Sequence, residues 1–409
     1  MRWGRLAGGL AIAGVAGWYA RTGRYASIRW DRPGRPPYDE SGGVRAGDLE
    51  VVHEFHGAMP TGVTVSREGR IFVNYPRWED PIDFTVAELR EGREVPFPDA
   101  GSQGDASPDQ LFSVQSVVVD PADRLWALDT GTVDMGPIRG RDWAKLVGID
   151  LATGRIVKTI RFPPGVVHET TYLNDVRFDL RRGDDGMAFI TDSSSSGPNG
   201  IIVVDLASGR SWRKLNDHPS VRPDRAFFAV LDGGPVMLRP RDRLLPKPAA
   251  IGSDGIAIAA GGTRLFYCPL SSRSLYSVSV DALADEGASD ADVARTIERE
   301  DRRFASDGLE ADLQGRIYLT DWEHNAIVVR TPEGRYETLV WDPRLWWPDT
   351  LSLSDDGYLY VTANQLQRQA KFHRGRDLRR RPFHLFRLAV NATPVRLSRE
   401  APRAAAEGR

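Results

Sequence analysis

The chain has 409 residues, 41% hydrophobic and 9% aromatic, which provides for a large buried core and excludes the disordered and collagen-like classes. A formal net charge of -2 gives no global electrostatic reason to bind nucleic acid or an anionic membrane surface. The single cysteine, Cys268, excludes an intramolecular disulfide and every cysteine-based zinc or redox pattern; set in the apolar run TRLFYCPLSS, it reads as a core residue.

At the N-terminus, Arg2 and Arg5 precede an uncharged run of small and apolar residues, 6–20. That charge order predicts a secretory signal or an uncleaved signal anchor over residues 1–20. The protein is then extracytoplasmic, either secreted or periplasmic, or held to the membrane through this segment alone. No clean small-x-small site stands ahead of WYARTGR, so cleavage is left open. Residues 21–47, including DRPGRPPYDESGGVRAG, are rich in Pro, Gly and charge and read as a linker or an extended arm.

From 48 to 392 one pattern recurs in six versions: PTGVTVSREGRIFVNYP, VQSVVVDPADRLWALDTG, LNDVRFDLRRGDDGMAFITDS, SDGIAIAAGGTRLFYCPL, SDGLEADLQGRIYLTDW and PDTLSLSDDGYLYVTAN. Each opens on polar or small residues, runs through an alternating strand, turns at Asp or Gly and leaves on a strand rich in aromatic and β-branched residues, the signature of a hairpin. Most are followed by a second hairpin-like piece, as in KLVGIDLATGRIVKTIRF, GIIVVDLASGRSWRKL, SLYSVSVDAL and AIVVRTPEGRYETLV. Paired hairpins repeated about an axis make the four-stranded blades of a propeller, so the expected fold is an all-β, six-bladed β-propeller. A linear solenoid needs polar capping repeats, whereas both ends here carry apolar strands.

The last version is followed by only one clear strand, FHLFRLAV, while LEVVHEFHG precedes the first. The early strand is therefore expected to complete the final blade. Between the third and fourth versions the interval stretches, and the excess, HPSVRPDRAFFAVLDGGPVMLRPRDRLLPKP, is apolar enough to fold over a face of the ring as a lid. Residues 393–409 read as a polar tail.

In a propeller the first strand of each blade lines the channel, so equivalent residues at its start form a ring at one opening. The alignment gives Thr61, Gln115, Asn174, Asp254, Asp307 and Asp349. Carboxylates converging there repel one another unless a positive charge sits between them, and such oxygen donors suit Ca²⁺ first, then Mg²⁺ or Mn²⁺. The plainer reading is that these residues cap strand starts and hold turn backbone. Asp175 is the candidate partner or general base beside Asn174, and His168 with Glu169 the candidate acid/base pair at the channel mouth. Trp346 and Trp347 precede Asp349 as an aromatic rim or as packing. Asp321, Trp322, Glu323 and His324 read as structural. SSSSGPNG is a flexible loop without the context of a serine nucleophile, and no zinc helix, phosphate loop or dinucleotide fingerprint is present.

The segments GRIFVNYPRW, VQSVVVDPADRLWALDTG, TYLNDVRFD, ITDSSSSGPNGIIVVDLASGRSWRKL and GSDGIAIA resemble the major royal jelly protein and yellow family, bacterial members included, over residues 49–388. The resemblance implies a secreted six-bladed propeller. It leaves function open among nutritive proteins, pigment-pathway proteins linked to dopachrome conversion and salivary binders of biogenic amines. A more distant similarity, to the gluconolactonase and paraoxonase propellers, implies a central metal held by Glu, Asn and Asp. Asn174, Asp254 and Asp307 match the Asn and Asp positions; Thr61 stands where the Glu belongs.

Two functions follow as expectations. One is a small amine or aromatic ligand held by the ring, with Asp254, Asp307 and Asp349 as counter-charge and Trp347 as a wall. The other is a Ca²⁺-dependent lactonase-like hydrolase or dopachrome-type isomerase, with the metal on Asn174, Asp254 and Asp307 and the proton moved by Asp175 or His168. A scaffold binding other proteins on its outer faces is compatible with both, and the oligomeric state is not legible.

Overall fold

The computed structural model describes residues 49–399 apart from 232–233, 240–244 and 303. The expected leader (1–20) and arm (21–47) lie outside the described residues. Six antiparallel four-stranded sheets are arranged as blades. Blade I comprises Gly62–Val65, Ile71–Asn74, Val86–Arg90 and Arg93–Pro96; blade II, Val114–Val119, Arg124–Asp129, Lys145–Asp150 and Arg155–Arg161; blade III, Leu173–Asp179, Met187–Asp192, Gly200–Asp205 and Ser211–Lys214. Blade IV comprises Ser253–Ile258, Arg264–Pro269, Ser274–Ser279 and Glu298–Asp301; blade V, Leu309–Ala311, Ile317–Asp321, Ala326–Arg330 and Tyr336–Trp341. Blade VI takes Pro348–Leu353, Tyr358–Ala363 and Phe383–Ala389 from the end of the chain and Glu50–Phe55 from its beginning.

Closure is thus a strand of one terminus hydrogen-bonded to a strand of the other, Glu54 opposite His384 and Phe55 opposite Phe383. Between the third and fourth strands of blade IV stand two short helices, Val280–Ala284 and Asp290–Ala294, capped by Ser279 and Ser289. The stretch SVSVDAL, expected as strand, therefore turns helical at Val280, where a serine cap and Asp281 favour a helix start.

Apolar side chains fill six cores, one between each pair of neighbouring blades. Trp126, Leu146 and Ile160 of blade II meet Val176, Phe178 and Ile190 of blade III, for example, and Cys268 lies buried between blades IV and V. Inner strands are covered on both faces, so GVTV and SDGIAI are buried throughout and lose the alternation of a one-sided strand. The outermost strand of blade II, RIVKTIR, is largely exposed.

At the lower face, where the inner strands end, the chain after residue 392 crosses the opening. The Thr393 carbonyl accepts from Leu313 N–H (2.9 Å) and the Leu397 carbonyl from Leu180 N–H (2.8 Å), and Arg396 pairs with Asp355 at 2.6 Å. Pro394, Val395 and Leu397 cap a cavity of about 80 Å³ bounded by the inner strands of all the blades.

Candidate functional site

The six aligned polar residues stand where the inner strands begin, at the upper face. At Gln115, Asn174, Asp254 and Asp349 the pairing of the inner hairpin slips register, a bulge of the kind that re-aims a side chain. Fully buried threonines on the second strands fix this backbone. Thr191 Oγ1 donates to the Asp254 carbonyl (2.7 Å), Thr320 Oγ1 accepts from Asp307 N–H (3.0 Å), and Thr362 Oγ1 donates to the Thr61 carbonyl (2.9 Å). None of the three was singled out in the sequence, although ITD, LTD and VTA recur at that place.

The glycine after the ring residue is a packing glycine, not a turn glycine. A Cβ on Gly255 would lie 1.9 Å from the Asp307 carbonyl oxygen, and one on Gly308 would lie 2.3 Å from that of Asp349. Only glycine lets neighbouring inner strands come this close. Gly308→Ala is accordingly expected to lose about 1–3 kcal/mol in urea denaturation; unchanged stability would show that the ring expands freely.

Five ring members converge on the channel, each keeping 6–8% of its surface. Thr61 does not join them: it is fully buried, its hydroxyl accepting from Asn74 Nδ2 at 2.8 Å. Asn174 Nδ2 donates to Asp254 Oδ1, and Asp307 acts on the Asp254 carboxyl from close by, favouring its protonated form. Trp347 Nε1 donates to Asp307 Oδ2 at 2.7 Å, and Asn364 Nδ2 donates to Asp349 Oδ2. Tyr172 OH donates to Gln115 Oε1 (2.9 Å) while accepting from Trp78 Nε1 (2.9 Å).

Burial, followed by the charge of Asp307, holds the Asp254 and Asp349 carboxyls well above the ordinary carboxylate range; Asp307 itself is pushed up by burial to about 6. Among the described residues no Lys or Arg pairs with any of the three.

One step down the channel the pattern is the opposite. Arg177 Nη1 lies 2.9 Å from each Asp175 oxygen, Nη2 donates to the Leu309 carbonyl at 2.8 Å, and the guanidinium also acts on half-buried Glu310. Asp175 accepts further from Ser116 Oγ at 2.7 Å. The lower acids therefore carry a built-in cation, and the upper three do not.

The upper face is roofed by residues 76–84, the described residues of 218–252, and 364–382. Phe227, Ala229 and Leu231 of the long insertion join Trp322, Trp347 and Leu366 in one core, with Trp322 and Trp347 stacked at 4.2 Å and 18°. Ion pairs and backbone bonds join the roof segments. Arg379, 2% exposed at its side chain, pairs with Asp80 at 2.7 Å; Glu79 accepts the N–H groups of Ala370 and Lys371 at 2.9 and 3.0 Å. Residues 364–382 went unread in the sequence because their partners are hundreds of residues away.

His168 is not part of the ring. With Glu169 it lines a separate cleft of about 230 Å³ together with Ile138, Arg141 and Phe162, between blades II and III. Burial, then Arg213, lowers its pKa. Asp321 and His324, read as structural, pair with each other at 2.8 Å.

The donors were also tested against Ca²⁺, which takes six to eight oxygen ligands at about 2.3–2.6 Å. Here Asn174 turns its amide nitrogen toward Asp254, and N–H groups occupy Asp307 and Asp349. Among the described residues no three His, Cys, Asp or Glu side chains converge as metal ligands. As arranged, the ring does not fit Ca²⁺.

Residues 112–393 match the family model described as major royal jelly protein. Protein yellow of Drosophila subobscura is 28% identical over 243 residues, covering 56% of this chain and 40% of that protein. Protein yellow of Drosophila melanogaster is 27% identical over the same length, covering 56% and 42%. The match thus spans about two fifths of those relatives. Among solved structures, a calcium-binding protein, regucalcin, from Agrobacterium tumefaciens superposes with a TM-score of 0.50 at 14% identity (86% of this chain, 98% of that one). A luciferin-regenerating enzyme gives 0.53 at 10% (86% and 99%), and a gluconolactonase-like protein 0.52 at 12% (89% and 99%). At these identities the likeness is one of fold.

Proposed function

This chain belongs to the major royal jelly protein family, and from that premise and the geometry of the ring we propose that it is an exported propeller that binds a small organic cation, an aromatic or aliphatic amine. The observation that carries this reading is the contrast between tiers: Asp175 and Glu310 are served by Arg177, whereas Asp254, Asp307 and Asp349 are buried together with no cationic side chain against them among the described residues. A ligand ammonium supplies three N–H donors to those acids in place of protons. Trp347, Trp322 and Tyr172 stand at the same end of the channel to cover the aromatic part. Entry requires the roof to part.

Ca²⁺ is the competing occupant, supported by the ring's acidity and by a fold shared with a protein described as calcium-binding. The disposition of N–H donors argues against it. A hydrolase or isomerase at this site would need a free base, and Asp175 is neutralised by Arg177.

Isothermal titration of the protein with catecholamines, indoleamines and polyamines is expected to give saturable one-site heat for at least one class, undiminished by EDTA. Saturable heat with calcium and none with any amine would overturn the reading in favour of the metal.

A further inference from the structure

The whole chain is slightly acidic, with a formal net charge of -2, yet residues 368–381 of the roof hold seven Lys or Arg against a single acid, Asp377. The neighbouring insertion adds Arg239 and exposed Lys247. The two segments touch: Arg239 N–H donates to the Lys371 carbonyl at 2.8 Å, and its own carbonyl accepts from Arg374 N–H at 3.0 Å. Against these nine cations stand the acids Glu79, Asp80, Asp134 and Asp377, which leaves this cluster with an excess of five positive charges. Arg376 and Arg380 are exposed and form no ion pair with a described residue.

Two leucines break this basic surface. Leu245 is 81% exposed and Leu378 is 39% exposed, one beside Lys247 and the other between Arg376 and Arg380. Such a side chain gains nothing in water. An anionic bilayer accommodates both features: Lys and Arg near its surface each contribute about 1 kcal/mol, and protruding apolar side chains bury into the acyl boundary. A soluble polyanion would use the charges but leave the leucines idle.

We infer that the roof docks the propeller on an anionic lipid surface, with the channel mouth turned toward the membrane. This rests on the roof alone and stands or falls apart from the ligand of the ring.

The test is co-sedimentation of the full chain with vesicles of phosphatidylcholine, alone or with phosphatidylglycerol, at low and high salt. Expected are binding to the anionic vesicles that weakens with salt, a drop of about tenfold or more in R376E/R380E, and a drop in Leu245→Ser/Leu378→Ser. Both variants should keep the wild-type melting temperature. Equal partitioning to neutral and anionic vesicles would overturn the inference. So would anionic binding that survives the charge reversal, or loss with the charges but not with the leucines, which marks a general polyanion surface.

Discussion

Asp254→Asn is expected to make the ligand-free protein more stable above pH 7 while removing most of its affinity for amines. In the native ring Asp254 accepts from Asn174, and burial together with the neighbouring Asp307 favours its protonated form. Asparagine keeps the contact with Asn174 through its carbonyl and has no proton to retain. The direction with pH follows from the raised carboxyls. Below about 4 the folded and unfolded chains are both protonated and nothing is lost. As pH rises, the unfolded chain releases its protons while the folded ring retains them, so stability falls through about 6 for Asp307 and further for Asp254 and Asp349.

Asp307 alone, held at about 6 against 3.8, corresponds to a cost on the order of 3 kcal/mol. That cost comes from burial; what Asp254→Asn removes is the separate cost of Asp254's own raised carboxyl, so a gain in stability at pH 8 that shrinks steadily as pH falls toward about 4 is expected from calorimetric melting. The ligand loses one partner of a buried charged hydrogen bond, a deficit of about 2–5 kcal/mol, or roughly thirtyfold or more in Kd. A variant that melts lower than the wild type at pH 8 would show that holding Asp254 protonated costs the fold nothing. Stability sacrificed at a buried acidic cluster is the pattern of a site built for a partner.

The second large effect concerns the frame that holds the ring. Lys145 and Asp129 are both fully buried, with Nζ 2.7 Å from Oδ2. Asp129 also accepts the N–H groups of Phe112 (2.7 Å), Ser113 (3.0 Å) and Gly131 (3.0 Å), tying blade II to the segment that leads into its inner strand. Lys145→Met keeps the apolar stem and leaves a buried carboxylate short of its cation, so a loss of about 3–5 kcal/mol is expected in urea denaturation. Pairing it with Asp129→Asn removes the stranded charge and should recover part of the loss. A double variant as unstable as the sum of the two single ones would place the cost in packing instead. Blade III repeats the device with Arg213 on buried Asp192 at 2.7 Å.

What the sequence made legible was local. Each inner hairpin is a continuous stretch with its own turn, so six versions of it, and the ring position within each, can be aligned by eye. The strand left over at the N-terminus and the missing strand of the last blade implied the closure seen between Glu50–Phe55 and Phe383–Ala389. The overlong interval before Asp254 implied a covering insertion.

What stayed hidden depends on pairs distant in sequence or on atoms within a side chain. Arg379 meets Asp80 across 299 residues, and Trp78 meets Tyr172 across 94. Asn174 reads as an oxygen ligand until its nitrogen is found against Asp254. The Asp-Gly pairs read as turn formers until Gly255 and Gly308 are seen against a neighbouring strand's carbonyl. Thr61 aligned with the ring yet turned its hydroxyl to Asn74, because alignment fixes backbone position and not the rotamer.

The upper tier holds buried acids with no cationic side chain against them among the described residues, and the direct measurement is a comparison of two ligands of one shape. Tryptamine and tryptophol share the indole ethyl frame and differ in an ammonium against a hydroxyl. Titrated at pH 7.5, tryptamine is predicted to bind at least about a hundredfold more tightly, the equivalent of about 2.7 kcal/mol, and equal affinities would contradict a ring that selects a cation.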